Sequence, residues 1–315
     1  MADENPQPVL RKGKELIEKV LDVYSQTWTK NEENHLKLKS KLSFNCNGFD
    51  EAIVTQENTP LRSEVVYDGD KNKTTVMVTE EIFSTFAKTH PFSNKSLDTC
   101  AVVGNGGILA NSSCGEAIDS AQFVIRCNMP PLEGKFSIDV GTKTDIVTAN
   151  PSILVEKYGR LLNHRRPFVD HARLYGNAML LTPTFSYSHN TELILRAFYT
   201  LEDFELKTRP VSMNPNYLKN LDLFWRSQGL NPQKRLSTGL MMASLVLEIC
   251  DNVHLYGFWP FDLHPHTKQP LSHHYYDNRL PTPGSHSMPA EFELLLKFHR
   301  KGVLKLHLGQ CPPPK

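Results

Sequence analysis

The most regular patterning lies in the middle of the chain. Ala101-Val102-Val103, opened by Cys100, is a short apolar run that stops at Gly104-Asn105-Gly106-Gly107, which predicts a buried strand entering a tight loop. A helix is expected near Cys114 to Ser120. Phe123 to Cys127 reads as a second strand ended by Asn128, and Asp145 to Ala149 as a third ended by Asn150-Pro151-Ser152. Leu240 to Ile249 is apolar nearly all round, as in a buried helix, and His254 to Phe258 is a fourth strand running into Trp259. Strands alternating with helices predict an α/β chain built on a parallel sheet flanked by helices. Upstream, Thr74 to Thr79 alternates like a strand, and Met1 to about Lys41 is polar except for a helical spacing at Leu16, Val20 and Val23. Residues 1–60 therefore read as a stem or peripheral N-terminal segment, and residues 61–315 as the main domain.

In open parallel sheets ligands bind beyond the carboxyl ends of the strands. That rule gathers Asn105, Asn128, Asn150 and Trp259 on one edge. Amides donate and accept hydrogen bonds, which suits a ribose, a pyrimidine or a sugar carboxylate; taken singly, each Asn also reads as a cap or turn residue. The glycine loop lacks the third glycine of a dinucleotide fingerprint, since Leu109 stands there. What remains is a loop whose backbone can approach a ligand. Ser237-Thr238-Gly239 precedes the apolar helix, so its hydroxyls and N–H groups suit either a phosphate or ordinary capping.

Composition narrows the field. Thirty-five basic residues against 34 acidic ones leave a net charge of +1, which argues against a nucleic-acid partner. No run approaches the ~18 apolar residues of a membrane span, and the chain reads as soluble. Six cysteines show no zinc-like spacing. Sequons at Asn72, Asn94 and Asn111 fit a secretory-pathway protein or simply exposed loops. Asp68-Gly69-Asp70 resembles a paired-aspartate metal motif, but it precedes the first sheet strand and reads better as a hairpin turn. His273-His274-Tyr275-Tyr276-Asp277 concentrates imidazoles and phenols beside a carboxylate. His286 stands just ahead of a helix start marked by Pro289 and Glu291. Either cluster can supply a general base.

Taken together, these residues resemble the animal sialyltransferase family over roughly residues 100 to 311. Its four sialylmotifs lie in order: Cys100 to Ser152, Lys234 to Pro260, His273 to Asp277, and His286 to Glu291. Cys-Ala-Val-Val-Gly-Asn-Gly-Gly-Ile-Leu, Arg-Cys-Asn, Arg-Leu-Ser-Thr-Gly and Tyr-Gly-Phe-Trp-Pro-Phe are most similar to its α2,8-linking branch. The resemblance implies a Rossmann-like variant of the nucleotide-sugar glycosyltransferase fold with no metal and no cofactor. It also implies that Asn105, Asn128, Asn150, Ser152, Ser237, Thr238, Gly239 and Trp259 hold the CMP-sialic acid donor. His274, with His273 beside it, would contact the donor phosphate, and His286 would be the catalytic base.

The family further implies disulfides Cys100–Cys250 and Cys114–Cys311. For the first, the pattern agrees, because Cys100 opens one strand and Cys250 leads into another, away from the ligand edge. Cys46 and Cys127 are left either paired or free. Polysialylating members carry a basic stretch before the large motif, whereas Lys88 and Lys95 stand almost alone here, so long polymers are not expected. The expected acceptor is a sialylated glycolipid or glycoprotein, with a homo-oligomer left open. Family members sit in the Golgi on an N-terminal anchor. None is visible here, so membrane association is expected only for a form that carries one. The rival readings are a catalytically silent binder of CMP or sialoglycans, and an α2,3- or α2,6-sialyltransferase.

Overall fold

The computed structural model describes residues 7–24, 26–92, 97–230, 234–280 and 286–312, with side chains from Leu16 onward; the Asn94 sequon lies outside the described residues. Among the described residues nine strands run in chain order: β1 (Glu64–Val66), β2 (Thr75–Met77), β3 (Leu97–Val103), β4 (Phe123–Arg126), β5 (Ile146–Thr148), β6 (Met179–Thr182), β7 (Arg209–Ser212), β8 (Cys250–Tyr256) and β9 (Lys305–His307). β1 and β2 form a separate antiparallel hairpin. The other seven make one sheet in the order β7-β6-β5-β4-β3-β8-β9, parallel throughout. The expected strands and parallel pairing are present, and β6, β7 and β9 extend the sheet at its two edges.

Alternation along β3 explains why the sheet must be covered on both faces. Cys100 and Val102 enter one apolar cluster, Ala101 and Val103 the other, and all four are buried. Such two-sided burial is the usual condition of a parallel sheet, whose crossover helices lie on both faces. The helix Thr238–Ile249 has every residue from Leu240 onward buried and covers one face. The helix Ser188–Asp203 contributes Leu193, Ile194, Ala197 and Phe198 to the other.

The N-terminal segment is built into this core. Leu16, Val20 and Val23 of the helix Gln7–Tyr24, and Leu38 and Leu42 of the helix Glu32–Asn45, belong to the same cluster as the helix Thr238–Ile249. His35 is fully buried, with its ring nitrogens 3.0 Å from the Val303 carbonyl and 3.2 Å from the Cys250 carbonyl. Composition suggested a stem because polar and charged residues together outnumber apolar ones from Met1 to about Lys41. A narrow stripe of buried residues is nevertheless sufficient to dock a helix.

Cys100–Cys250 joins β3 to β8 with Cα atoms 6.2 Å apart, and Cys114–Cys311 ties the helix Gly115–Asp119 to the last described residues at 4.9 Å. β3 begins at Leu97, so Cys100 sits in mid-strand rather than at its start. Cys46 and Cys127 are free and buried, and burial pushes both thiols up to about 12. Among the described residues no helix is long and apolar enough to cross a membrane. Asn72 and Asn111 are exposed.

Candidate active site

Strand order reverses at β3, which has β4 on one side and β8 on the other. The crevice beyond their carboxyl ends is where such sheets take ligands. The chain after β3 passes very close to the chain after β8: Gly104 N–H donates to the Tyr256 carbonyl at 2.8 Å and Gly106 N–H to the Gly257 carbonyl at 3.0 Å. A Cβ on Gly106 would lie 2.6 Å from the Gly257 carbonyl oxygen, and one on Gly107 would collide with that of Ser272. The glycines of this loop admit another stretch of this chain.

That packing aims the asparagines. Asn105 Nδ2 donates to the Cys127 carbonyl at 2.8 Å, while its Oδ1 is buried with no partner. A buried acceptor left unmatched costs on the order of 1–3 kcal/mol, so Oδ1 is poised for an incoming donor group. Asn128 adopts φ 60°, a left-handed conformation that Asn tolerates, and its Oδ1 accepts from Asn150 N–H at 3.0 Å. Asn150 Oδ1 in turn accepts from Thr238 Oγ1 at 3.3 Å. This contact joins the strand-end half of the site to the N-terminus of the helix Thr238–Ile249. Ser152 is exposed in the first turn of the helix Pro151–Glu156.

At that helix terminus both donors of Ser237, its N–H and its hydroxyl, are spent within the protein. Its Oγ caps Leu240 N–H at 3.1 Å and donates to Glu291 Oε2, while its N–H donates to Glu291 Oε1 at 2.8 Å. Ser237 is therefore an anchor, and the N–H groups of Thr238 and Gly239 are those the first turn leaves without an intrahelical carbonyl. Gly239 is required because a Cβ would lie 2.9 Å from the Phe258 ring. Trp259 is not brought to this edge by its ring. The indole is buried between Phe261 and Phe292 and donates to the Leu263 carbonyl at 2.9 Å, an apolar environment that strand position alone did not reveal.

The segment carrying the paired histidines docks on the glycine loop. Tyr275 N–H donates to the Asn105 carbonyl at 2.9 Å, and Tyr275 Oη to the Pro131 carbonyl at 2.6 Å. His274 Nδ1 lies 2.7 Å from Asp277 Oδ2, and its ring stacks on Tyr276 with centroids 5.1 Å apart. Burial raises the Asp277 carboxyl, but hydrogen bonds from the His274 side chain and from the Arg279 and His274 N–H groups outweigh it and hold it below its ordinary value. His273 packs beside His274, with centroids 4.1 Å apart, and burial followed by that neighbour lowers its pKa.

His286 belongs to the helix-end half. Its Nδ1 is 2.9 Å from the Arg235 carbonyl, an acceptor that calls for the proton on Nδ1, so that the neutral form of the ring has its lone pair on Nε2. Five residues on, buried Glu291 grips Ser237, so the start of the helix Met288–Arg300 is fastened twice to residues 235–237. Burial raises the Glu291 carboxyl against the opposing bonds from Ser237 and the charge of His286. The sequence showed Glu291 only as a helix-start signal. Its role here depends on a contact across 54 residues.

Asp68 and Asp70 do lie in the β1–β2 turn, as expected. Asp68 is paired with Arg235, and Asp70 accepts from Ser188 N–H at 3.3 Å. Among the described residues no group of three or more His, Cys, Asp or Glu is arranged to hold a metal ion.

The profile of glycosyltransferase family 29 (sialyltransferase) matches residues 53–303, four-fifths of the chain. The chain belongs to the family 29 sialyltransferases. It is 42% identical over 292 residues to alpha-2,8-sialyltransferase 8F of Homo sapiens, covering 93% of this chain and 73% of that protein. Alpha-2,8-sialyltransferase 8E of Homo sapiens is 42% identical over 300 residues, covering 95% and 79%. A mammalian sialyltransferase solved with Gal-beta-1-3GalNAc-ortho-nitrophenol shares the fold at a TM-score of 0.50 and 22% identity, over 90% of this chain and 88% of that one. For a sialyltransferase, then, the parallel sheet and its strand-end crevice are the expected scaffold.

Proposed function

We propose that this sialyltransferase moves sialic acid from CMP-sialic acid to the 8-hydroxyl of a terminal sialic acid, with inversion at the anomeric carbon. The linkage rests on 42% identity to proteins named α2,8-sialyltransferases. The chemistry rests on one observation: the Arg235 carbonyl lies 2.9 Å from Nδ1 of His286, which in the neutral ring leaves the lone pair to Nε2. The acceptor oxygen forms its bond to the anomeric carbon as its proton passes to His286 Nε2. The bond from that carbon to the phosphate oxygen breaks on the opposite face, and CMP leaves with the electron pair.

Negative charge gathers on the departing phosphate at that moment. His274, oriented by Asp277, and the N–H groups of Thr238 and Gly239 would meet it there more strongly than in the ground state. Those donors supply the stabilisation without a divalent cation, and activity is expected to survive excess chelator. Asn105 Oδ1, Asn128 and Asn150 would hold the nucleoside and sugar portions. The Golgi lumen is the proposed compartment, since two disulfides need an oxidising environment.

The test is incubation with CMP-sialic acid and matched sialylated and unsialylated glycolipids and glycoproteins, with product linkages assigned by mass spectrometry. Extension of sialylated acceptors through the 8-position is expected. Transfer only to galactose would make it an α2,3- or α2,6-enzyme, and CMP binding without any transfer would make it a silent binder.

A further inference from the structure

The β1–β2 turn reaches Arg235, beside His286, through the side chain of Asp68. Asp68 is only 12% exposed, and its Oδ2 accepts from Arg235 Nη2 at 3.3 Å. The same nitrogen donates to Ser186 Oγ at 2.7 Å, and the guanidinium lies 4.8 Å over the Tyr187 ring. Gly69 closes the enclosure, because a Cβ there would stand 2.7 Å from Arg235 Nη1 and from the Tyr187 ring. The turn is itself fixed to the loop after β6: Gly69 N–H donates to the Ser186 carbonyl at 2.8 Å. A guanidinium bounded by a carboxylate, a hydroxyl and an aromatic face has little freedom to move.

The backbone of the same residue carries the acceptor for His286. Among the described residues, the Arg235 carbonyl is the one hydrogen-bond partner of the His286 ring. A ring with one tether keeps its tautomer and direction only while that acceptor stays in place. We propose that Asp68 is a positioning residue for His286, acting through Arg235. The proposal rests on His286 being the base. It gives the Asp-Gly-Asp turn a part in the reaction with no metal ligand involved: the carboxylate clamps the guanidinium, the clamped residue presents its carbonyl, and the carbonyl holds Nδ1–H.

The test uses Asp68→Asn, which keeps the shape and removes the charge. The folded variant is expected to bind CMP within about twofold of the parent and to lose kcat ~10-fold, the scale of a slightly misplaced reacting group. Combined with His286→Ala, it should cause no further loss, because it acts through that ring. Two-bond proton–nitrogen NMR of the imidazoles provides a readout independent of activity. The parent should show His286 as the single Nδ1–H tautomer, and Asp68→Asn a mixture. Parental kcat, a full additional loss in the His286→Ala background, or an unchanged His286 tautomer would each overturn the proposal.

If Asp68→Asn does not fold, Ser186→Ala removes the shorter of the two bonds to Arg235. A loss of ~3-fold in kcat with the same tautomer mixing is then expected, and an unaltered His286 spectrum overturns the proposal. Full activity of His286→Ala would instead remove the base assignment, while the tautomer measurement would still decide whether Asp68 reaches that ring.

Discussion

The histidines of the crevice and those of the β8–β9 flank are the same residue put to opposite uses. At the crevice, His274 and His286 are partly exposed, each with Nδ1 held by one oxygen, a carboxylate for the first and a carbonyl for the second. On the flank, His254 Nδ1 lies 2.9 Å from His307 Nε2, His307 stacks on Tyr256, and His299 stacks on Tyr24 and accepts from Leu306 N–H. Burial, followed by the charge of Lys305, lowers His254 and His299 to about 4. His307 is lowered further by burial and by His254. An imidazole is reactive where one nitrogen is tethered and the other is open. Where the ring is enclosed, it serves as an aromatic filler that must stay neutral.

The largest consequence falls on the flank and concerns acid. A histidine at about 4 when folded and 6.5 when unfolded is protonated first in the unfolded chain, so stability is complete above pH 6.5 and declines toward pH 4. For His299 alone the loss is roughly 3 kcal/mol. Glu248 works against this. Burial raises it from 4.5 to about 7, so its contribution is present at low pH and is lost as pH rises from 4.5 to 7. Glu291, Asp68 and Glu51 are raised by burial in the same direction, but His35, His90, His171, His254, His299 and His307 are all lowered by it and are more numerous, so a net fall in melting temperature on acidification is expected. His299→Gln, which can still accept from Leu306, should flatten the curve between pH 4 and 6.5. An unchanged slope would show that the flank does not behave as described.

At the crevice the effects are on rate. His286→Ala removes the proton acceptor and leaves the asparagine contacts in place, so turnover should fall ~100-fold or more with little change in CMP affinity by calorimetry. His274→Ala should weaken CMP binding and turnover together, each ~10-fold, since a phosphate ligand acts in the ground state as well as the transition state. If the two variants give the same pattern, the division of roles between the carbonyl-held and carboxylate-held rings is lost. The smallest effect is expected from Thr238→Val, which cuts the 3.3 Å bond to Asn150 between the two halves of the site. A threefold rise in KM with kcat nearly unchanged, roughly 0.6 kcal/mol, would sharpen the picture of two halves joined by a weak link.

What could be read in advance was local. Apolar runs ending in Gly or Asn marked β3, β4, β5 and β8, the all-apolar stretch marked the helix Thr238–Ile249, and alternation of the two implied the parallel sheet. β7 and β9 mix polar residues with one or two apolar ones and carry no comparable signal, and β6, though apolar at Met179, Leu180 and Leu181, is not ended by the Gly or Asn that marked the others. Position at a strand's end placed Asn105, Asn128 and Asn150 at the crevice, because the rule depends only on chain direction. It said nothing of where the Trp259 ring turns, because that depends on what packs there: the backbone of Trp259 lies beside Gly106 while its indole is buried against Phe261 and Phe292.

The sequence by itself determined the strand-and-helix alternation, the glycine-to-asparagine strand ends and the motif order that marks the family. Each is written in neighbouring residues and their periods. Tertiary structure alone decided that Ser237 is spent on Glu291, that Arg235 presents its carbonyl to His286, and that Asp68 grips Arg235 across 167 residues of chain. It also decided that a polar N-terminal helix lends Leu38 and Leu42 to the core. The reason is physical: a hydrogen bond or an ion pair is a matter of distance and direction in space, and spacing along the chain does not specify either until the sheet has brought its distant segments to one edge.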